Sequence, residues 1–143
     1  MSTEENKALA RRELEEIFSA KGSLAAAEEI YAPHYISHQP AGEKDLRGPE
    51  AIKHFASGMR QAFPDFEITI EEQIAEGDKV LTRFRTRGTH QGELWGIPPT
   101  GKEVQITNMS MSRMEGGKMV EEWPAPDRLG MMQQLGVIEQ PSG

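Results

Sequence analysis

The apolar residues of this chain change their period once, near residue 66, and that change constrains the fold more than any single motif. Upstream they recur every three to four positions, as on one face of a helix, and downstream they alternate, as on one face of a strand. Ser2 and Glu5 have the spacing of a capping box, and Ala10, Leu14, Ile17 and Phe18 follow at helical intervals to about residue 20. After Gly22, Ser23 can cap a short second helix in which Leu24, Ala27 and Tyr31 share a face. It should stop before Pro33, because a residue preceding proline disfavours helical backbone. The segment HYISHQPAGEKDLRG reads as irregular chain. Gly48-Pro49-Glu50 then opens a third helix with proline at its first position, and Ile52, Phe55, Met59 and Phe63 form its stripe up to Pro64.

From Phe66 the pattern is that of strands. Phe66, Ile68 and Ile70 alternate with Glu67, Thr69 and Glu71. After the turn Glu76-Gly77-Asp78, Val80, Thr82, Phe84 and Thr86 alternate with Leu81, Arg83, Arg85 and Arg87. A third strand is predicted over 103–114 with a break near Asn108, and Glu115-Gly116-Gly117 turns it into a fourth over 118–123. The ending DRLGMMQQLG predicts a short helix with Leu129, Met132 and Leu135 inward and Gly136 as a left-handed cap, after which the terminus should fray. Helices followed by a meander of long strands predict one α+β domain spanning 1–143, with helices over one face of a curved antiparallel sheet and a pocket between the layers.

Composition narrows the chemistry. A chain of 143 residues can bury a core without staples, and its zero cysteines exclude disulfides, thiol nucleophiles and cysteine-based zinc sites. With 16 Lys plus Arg against 23 Asp plus Glu the net charge is -7, and no basic run exists to meet phosphates, so nucleic acid is not an expected partner. The charged N-terminus is unlike a signal peptide and no window is apolar enough for a membrane span, so the expectation is a cytoplasmic protein without membrane contact. His34 and His38 stand four apart, but Pro33 and Ile36 argue against a helix there and no third ligand is evident, so no metal site is expected. The loop GIPPTGK lacks P-loop spacing and reads as a stiff hairpin connection.

Several motifs in combination are more specific. Tyr31, Tyr35, His38 and Pro40 in the order Y-x3-Y-x2-H-x-P, then RGPEAIKHF, AFPDFEI, EGDKV, RGTHQGELWGIPPTGKEV, SRMEGGKMVEEW and D-x2-G-x3-Q-L-G run through nearly the whole chain. Together they resemble the SnoaL-like polyketide cyclases of the NTF2-like superfamily. The resemblance implies a cone-shaped fold, no metal or organic cofactor, a homodimer, and ring closure by intramolecular aldol condensation with an aspartate as acid/base. The matching residue is Asp127, flanked by Pro124 and Pro126. On residue chemistry alone, an aspartate just before an apolar helical stripe is an ordinary N-cap, so both roles stay open. His38 and His90 are candidate donors to a developing enolate oxygen; each could equally be a structural histidine of its loop or turn.

Arg83 could hold a carboxylate or ester oxygen, with cross-strand ion pairing as the alternative. Asn108, an amide within an apolar strand, needs either a pocket partner or a bulge. Trp95, Trp123, Phe63 and Met109 are candidate walls of a substrate pocket or simply core. Three functional readings follow: a cofactor-free cyclase acting on a small apolar carbonyl compound, a non-catalytic small-molecule binding module, and a hydrolase or isomerase using the same aspartate. A homodimer would cover the sheet face opposite the pocket, expected to carry Val80, Thr82 and Phe84 or their counterparts on the other side of the strand.

Overall fold

The structure, a computed structural model, describes residues 2–139. Helix α1, Thr3–Arg12, starts at the expected capping box: Ser2 Oγ accepts from the Glu5 amide at 3.1 Å and the Glu5 carboxylate accepts from the Ser2 amide at 3.1 Å. At Glu13 the helix widens into a π-helical segment, Glu13–Phe18, that ends with the Ser19 amide bonded to the Leu14 carbonyl. The Arg60 guanidinium donates to the Glu16 and Ile17 carbonyls, both at 2.9 Å, and so satisfies backbone groups at the end of this segment.

A 3-10 turn, Leu24–Ala26, and a single helical turn α2, Ala27–Ile30, lead directly into strand β1, Tyr31–Ser37. Here the sequence expectation is corrected: Tyr31 begins a strand instead of closing a helical face, and the segment read as irregular is extended through Ser37. Pro33 sits where the pairing of β1 with its neighbour shifts register between Tyr31 and Ile36, which interrupts the alternation that would have marked the strand. The short β2, Leu46–Arg47, pairs with the end of β1, and α3, Gly48–Ala62, follows with Pro49 in its first turn as expected.

Strands β3, Glu67–Glu76, β4, Lys79–Thr89, β5, Glu103–Glu115, and β6, Lys118–Pro126, form the predicted antiparallel meander. The sheet order is β2-β1-β6-β5-β4-β3, and β1 runs parallel to β6, so the sheet is mixed and not purely antiparallel. That parallel contact joins residues nearly ninety positions apart, which local periodicity does not encode. Two further expectations change. β5 is unbroken at Asn108, which pairs with Phe84 on one side and Pro126 on the other. β6 extends past Trp123 through both prolines, because β1 ends opposite Glu122 and leaves the rest of β6 as an edge that tolerates a missing N–H.

Alternation on β4 places Val80, Thr82, Phe84, Thr86 and Gly88 under the helices and sends Leu81, Arg83, Arg85 and Arg87 to the outer face. Of the two alternatives, the counterparts therefore face away from the pocket: Val80 and Thr82 are buried, and Phe84 and Thr86 line the interior cavity. Two apolar clusters flank that cavity. One joins Leu9, Ile17, Ile30, Tyr31, Tyr35, Ile52 and Met119, and the other joins Phe63, Leu94, Val104, Met131 and Leu135.

Helix α4, Arg128–Leu135, closes one end of the cone. The Gln134 amide clamps it to β5, donating to the Gln105 carbonyl at 2.9 Å and accepting from the Gln105 amide at 2.7 Å. Gly136 ends it at φ 83°, the left-handed cap read from the sequence. Met131 and Leu135 face inward, whereas Leu129, expected inside, is 58% exposed. The terminus expected to fray falls mainly on 140–143, outside the described residues.

The connection between β4 and β5 folds back on α3, with the Gln91 and Gly92 amides both donating to the Ala62 carbonyl. A Cβ at position 92 would lie 2.1 Å from the Gln61 carbonyl oxygen. Gly92→Ala is therefore expected to cost about 1–3 kcal/mol, measurable by denaturant unfolding.

Candidate active site

The cavity between sheet and helices encloses about 940 Å³, including its open mouth. All five phenylalanines of the chain, Phe18, Phe55, Phe63, Phe66 and Phe84, line it, joined by Leu14, Ile52, Met59, Ile106 and Met131. Such walls suit a flat, largely apolar molecule. Polar groups enter from one side of the sheet and from the π-helical segment: Thr86, Asn108, Ser110, Glu122, Ser37 and Glu13. Arg128 at the mouth is the only cationic residue among the described ones that line the cavity, and it is engaged already. Its guanidinium pairs with Glu43 at 3.2 Å and stacks over the Trp95 ring at 4.6 Å.

Two buried carboxyl groups dominate this polar side. Glu122 sits on the inward face of β6, only 6% exposed. One of its oxygens accepts from the Tyr35 hydroxyl at 2.6 Å and the other from the Ser110 hydroxyl at 2.8 Å. Glu13, 2% exposed, accepts from the Tyr31 hydroxyl at 2.5 Å. Burial first, and then the negative charge of Glu122, pushes the Glu13 carboxyl well above its usual range. Glu122 receives two hydroxyl donors and Glu13 one, so Glu13 keeps an oxygen free to carry a proton. Burial and the two nearby carboxyl groups likewise push the Tyr31 and Tyr35 hydroxyls well above the ordinary phenol range, keeping both as donors.

Sequence reasoning passed over both glutamates, although a signal for each exists. Glu13 lies four residues from Leu9 and four from Ile17, inside the apolar stripe of the first helix, and Glu122 shares its strand face with Val120 and Pro124. A charge on a buried face needs a partner or a purpose.

The residues singled out from sequence do not form one constellation. Asp127 is exposed, does not line the cavity, and caps α4 by accepting from the Gly130 amide at 2.8 Å. Asp127→Ala is accordingly expected to lower stability by about 1 kcal/mol, read as a shift in the denaturation midpoint. The His38 ring stacks on Trp123 at 5.4 Å outside the cavity, with Nε2 2.7 Å from Glu121 and Nδ1 3.8 Å from Asp45. The hydrogen bond from His38, aided by Arg113, holds the Glu121 carboxyl below its usual range.

His90 is fully buried against Phe63. Its Nδ1 accepts from the Thr100 amide at 3.1 Å, so its proton sits on Nε2, and it fixes the loop before β5 without lining the cavity. Arg83 lies on the outer face between Glu71 and Glu72 at 3.3 and 3.4 Å. Trp95 is half exposed at the mouth, at φ 46°.

Phe63 and Asn108 do line the cavity. Met109 borders it as well, yet its side chain alternates to the outer face and is 44% exposed, so Asn108 and Ser110 form the working wall there. Asn108 donates to Thr86 Oγ1 at 3.2 Å, and its buried Oδ1 has no protein partner. A bound hydroxyl or amide would satisfy it.

A cone of helices over a curved sheet, with a mostly apolar cavity and a few converging polar groups, is an NTF2-like fold. The chain belongs to the SnoaL-like polyketide cyclase family, whose pattern matches residues 8–135. Aklanonic acid methyl ester cyclase DnrD of Streptomyces peucetius is 33% identical over 110 residues, covering 76% of this chain and 72% of that protein. Among solved structures, wild-type IdmH of Streptomyces antibioticus superposes with a TM-score of 0.77. It is 33% identical, over 92% of this chain and 98% of that one. A SnoaL-like protein of Jannaschia sp. CCS1 shares the fold with a TM-score of 0.87 at 24% identity, over 97% and 95% of the two chains. No helix among the described residues is long and apolar enough to cross a membrane.

Proposed function

We propose that this protein closes a ring in a flat, uncharged carbonyl compound by an aldol-type reaction in the cone cavity, using Glu122 as the base and no cofactor. The observation that carries this reading is a carboxylate braced by two hydroxyls on the wall of an otherwise apolar cavity. Such a group is held at a fixed position, and few waters compete with a substrate for it. Glu122 takes a proton from the carbon beside a carbonyl. The free Oδ1 of Asn108 accepts from a substrate hydroxyl and sets the register of the ring system, and Phe63 and its neighbours sandwich the rings. Asp127, facing solvent at the helix cap, stays a cap in this scheme, and His38, His90, Arg83, Trp95 and Trp123 brace the surrounding structure.

The outer sheet face, where Met109 and Met111 are exposed beside Ile74, is the surface on which a homodimer would form. The reading is tested with aklanonic acid methyl ester, the compound in the name of the Streptomyces peucetius relative, by following ring closure chromatographically and exchange of its acidic C–H protons in D2O by NMR. Catalysed exchange with closure supports it, and so does a fully active Asp127→Asn variant. Neither exchange nor closure, at enzyme concentrations that saturate the compound, would sink it.

A further inference from the structure

We propose that Glu13 is a second catalytic residue, the acid that protonates the oxygen created in ring closure and then recovers its proton from Glu122. The inference rests on the reading of Glu122 as base and adds the other half of the proton cycle. Glu13 comes from the helical layer and Glu122 from the sheet, both line the cavity, and each is held by one of two neighbouring tyrosines, Tyr31 and Tyr35, whose ring centroids are 4.4 Å apart. The π-helical segment that begins at Glu13 is an interruption of regular helix, a feature often found where a side chain is aimed at a functional site. The Tyr31 hydroxyl donates to one Glu13 oxygen at 2.5 Å, leaving the other to carry the proton. A purely structural partner for Tyr31 would need only an acceptor, and glutamine supplies one of the same shape.

The steps balance. Glu122 removes a proton from the carbon α to one carbonyl, and the resulting enolate carbon forms a C–C bond to a second carbonyl carbon of the same molecule. The C=O π pair moves to oxygen, which takes the Glu13 proton and becomes a hydroxyl. Glu122 is then protonated and Glu13 ionised, and the proton returns from Glu122 to Glu13 before the next turnover. Nothing is oxidised or reduced, no group leaves, and no co-reactant is required.

The test uses the full chain and the same methyl ester, with the two half-reactions read separately. Glu13→Gln should keep C–H exchange within about threefold of wild type and lose ring closure by about 10²-fold or more. Glu122→Gln should lose both. Ring closure by Glu13→Gln at the wild-type rate would overturn the role of Glu13 and leave Glu122 untouched. Persistent exchange in Glu122→Gln would instead overturn the base. Infrared difference spectra give a readout independent of turnover: a protonated-carboxyl band present in wild type at neutral pH should vanish in Glu13→Gln, and its survival there would place the proton elsewhere. Tyr31→Phe provides a variant that leaves the carboxyl intact; closure should slow about tenfold with exchange unchanged, and equal loss of both would count against the proposal.

Discussion

Glu122→Gln is expected to slow ring closure by about 10²–10⁴-fold while the protein still folds, the range over which a positioned acid or base contributes to a rate. The substitution preserves shape and hydrogen bonding. The Tyr35 hydroxyl can donate to the amide oxygen as it now donates to Glu122, and Ser110 can turn its hydroxyl to accept from the amide nitrogen. What disappears is the basic lone pair. Loss of rate without loss of folding therefore isolates proton transfer from packing.

Asp127→Asn makes the contrast informative. Asparagine is nearly as good an N-cap as aspartate, so that variant should retain both its stability and its rate. Measured side by side, the two variants ask which carboxylate meets the substrate. A wild-type rate in Glu122→Gln together with a collapse in Asp127→Asn would move the base to the helix cap and require α4 to swing its N-terminus into the cavity.

How far the sequence reaches is clearest at particular residues. The change of period at Phe66, the capping box at Ser2 and the left-handed Gly136 are local events, governed by neighbours within four positions, and each is legible without the fold. The parallel pairing of β1 with β6 is not. It depends on closing the chain between residues 37 and 122, and Pro33 masks the alternation of β1. Phe63 and Asn108 could be marked as pocket residues from stripe and anomaly, because burial follows periodicity. Arg83 could not be settled that way, since its partners Glu71 and Glu72 lie across a register shift in β3. Glu13 and Glu122 escaped for a different reason. Their meaning lies in lining one cavity from two layers, a relation between residues far apart in the chain that local periodicity does not carry.

The buried Glu13 carboxyl also predicts an unusual pH dependence of stability. Because burial, reinforced by Glu122, raises the Glu13 pKa above its ordinary value of 4.5, the folded protein binds a proton that the unfolded chain has already released. Stability from this group is therefore complete below about pH 4.5 and falls as pH rises toward the folded pKa, by up to about 1.4 kcal/mol per pH unit within that window. Glu121 and Asp65, held below their ordinary ranges by His38 and by the Thr89 amide respectively, act in the opposite sense and weaken the fold as pH drops below their unfolded values. Both remain in Glu13→Gln, so the difference between variant and wild type cancels them. That difference, measured by denaturant unfolding from pH 5 to 8, should grow in favour of Glu13→Gln as pH rises and level off once the folded pKa is passed, because glutamine keeps the bond from Tyr31 and cannot ionise. Tyr31 and Tyr35, with raised hydroxyl pKa values, change stability only above about pH 10 and leave this window clear. A difference that stays flat from pH 5 to 8 would mean that Glu13 ionises as readily in the fold as out of it, and the acid required for ring closure would be missing.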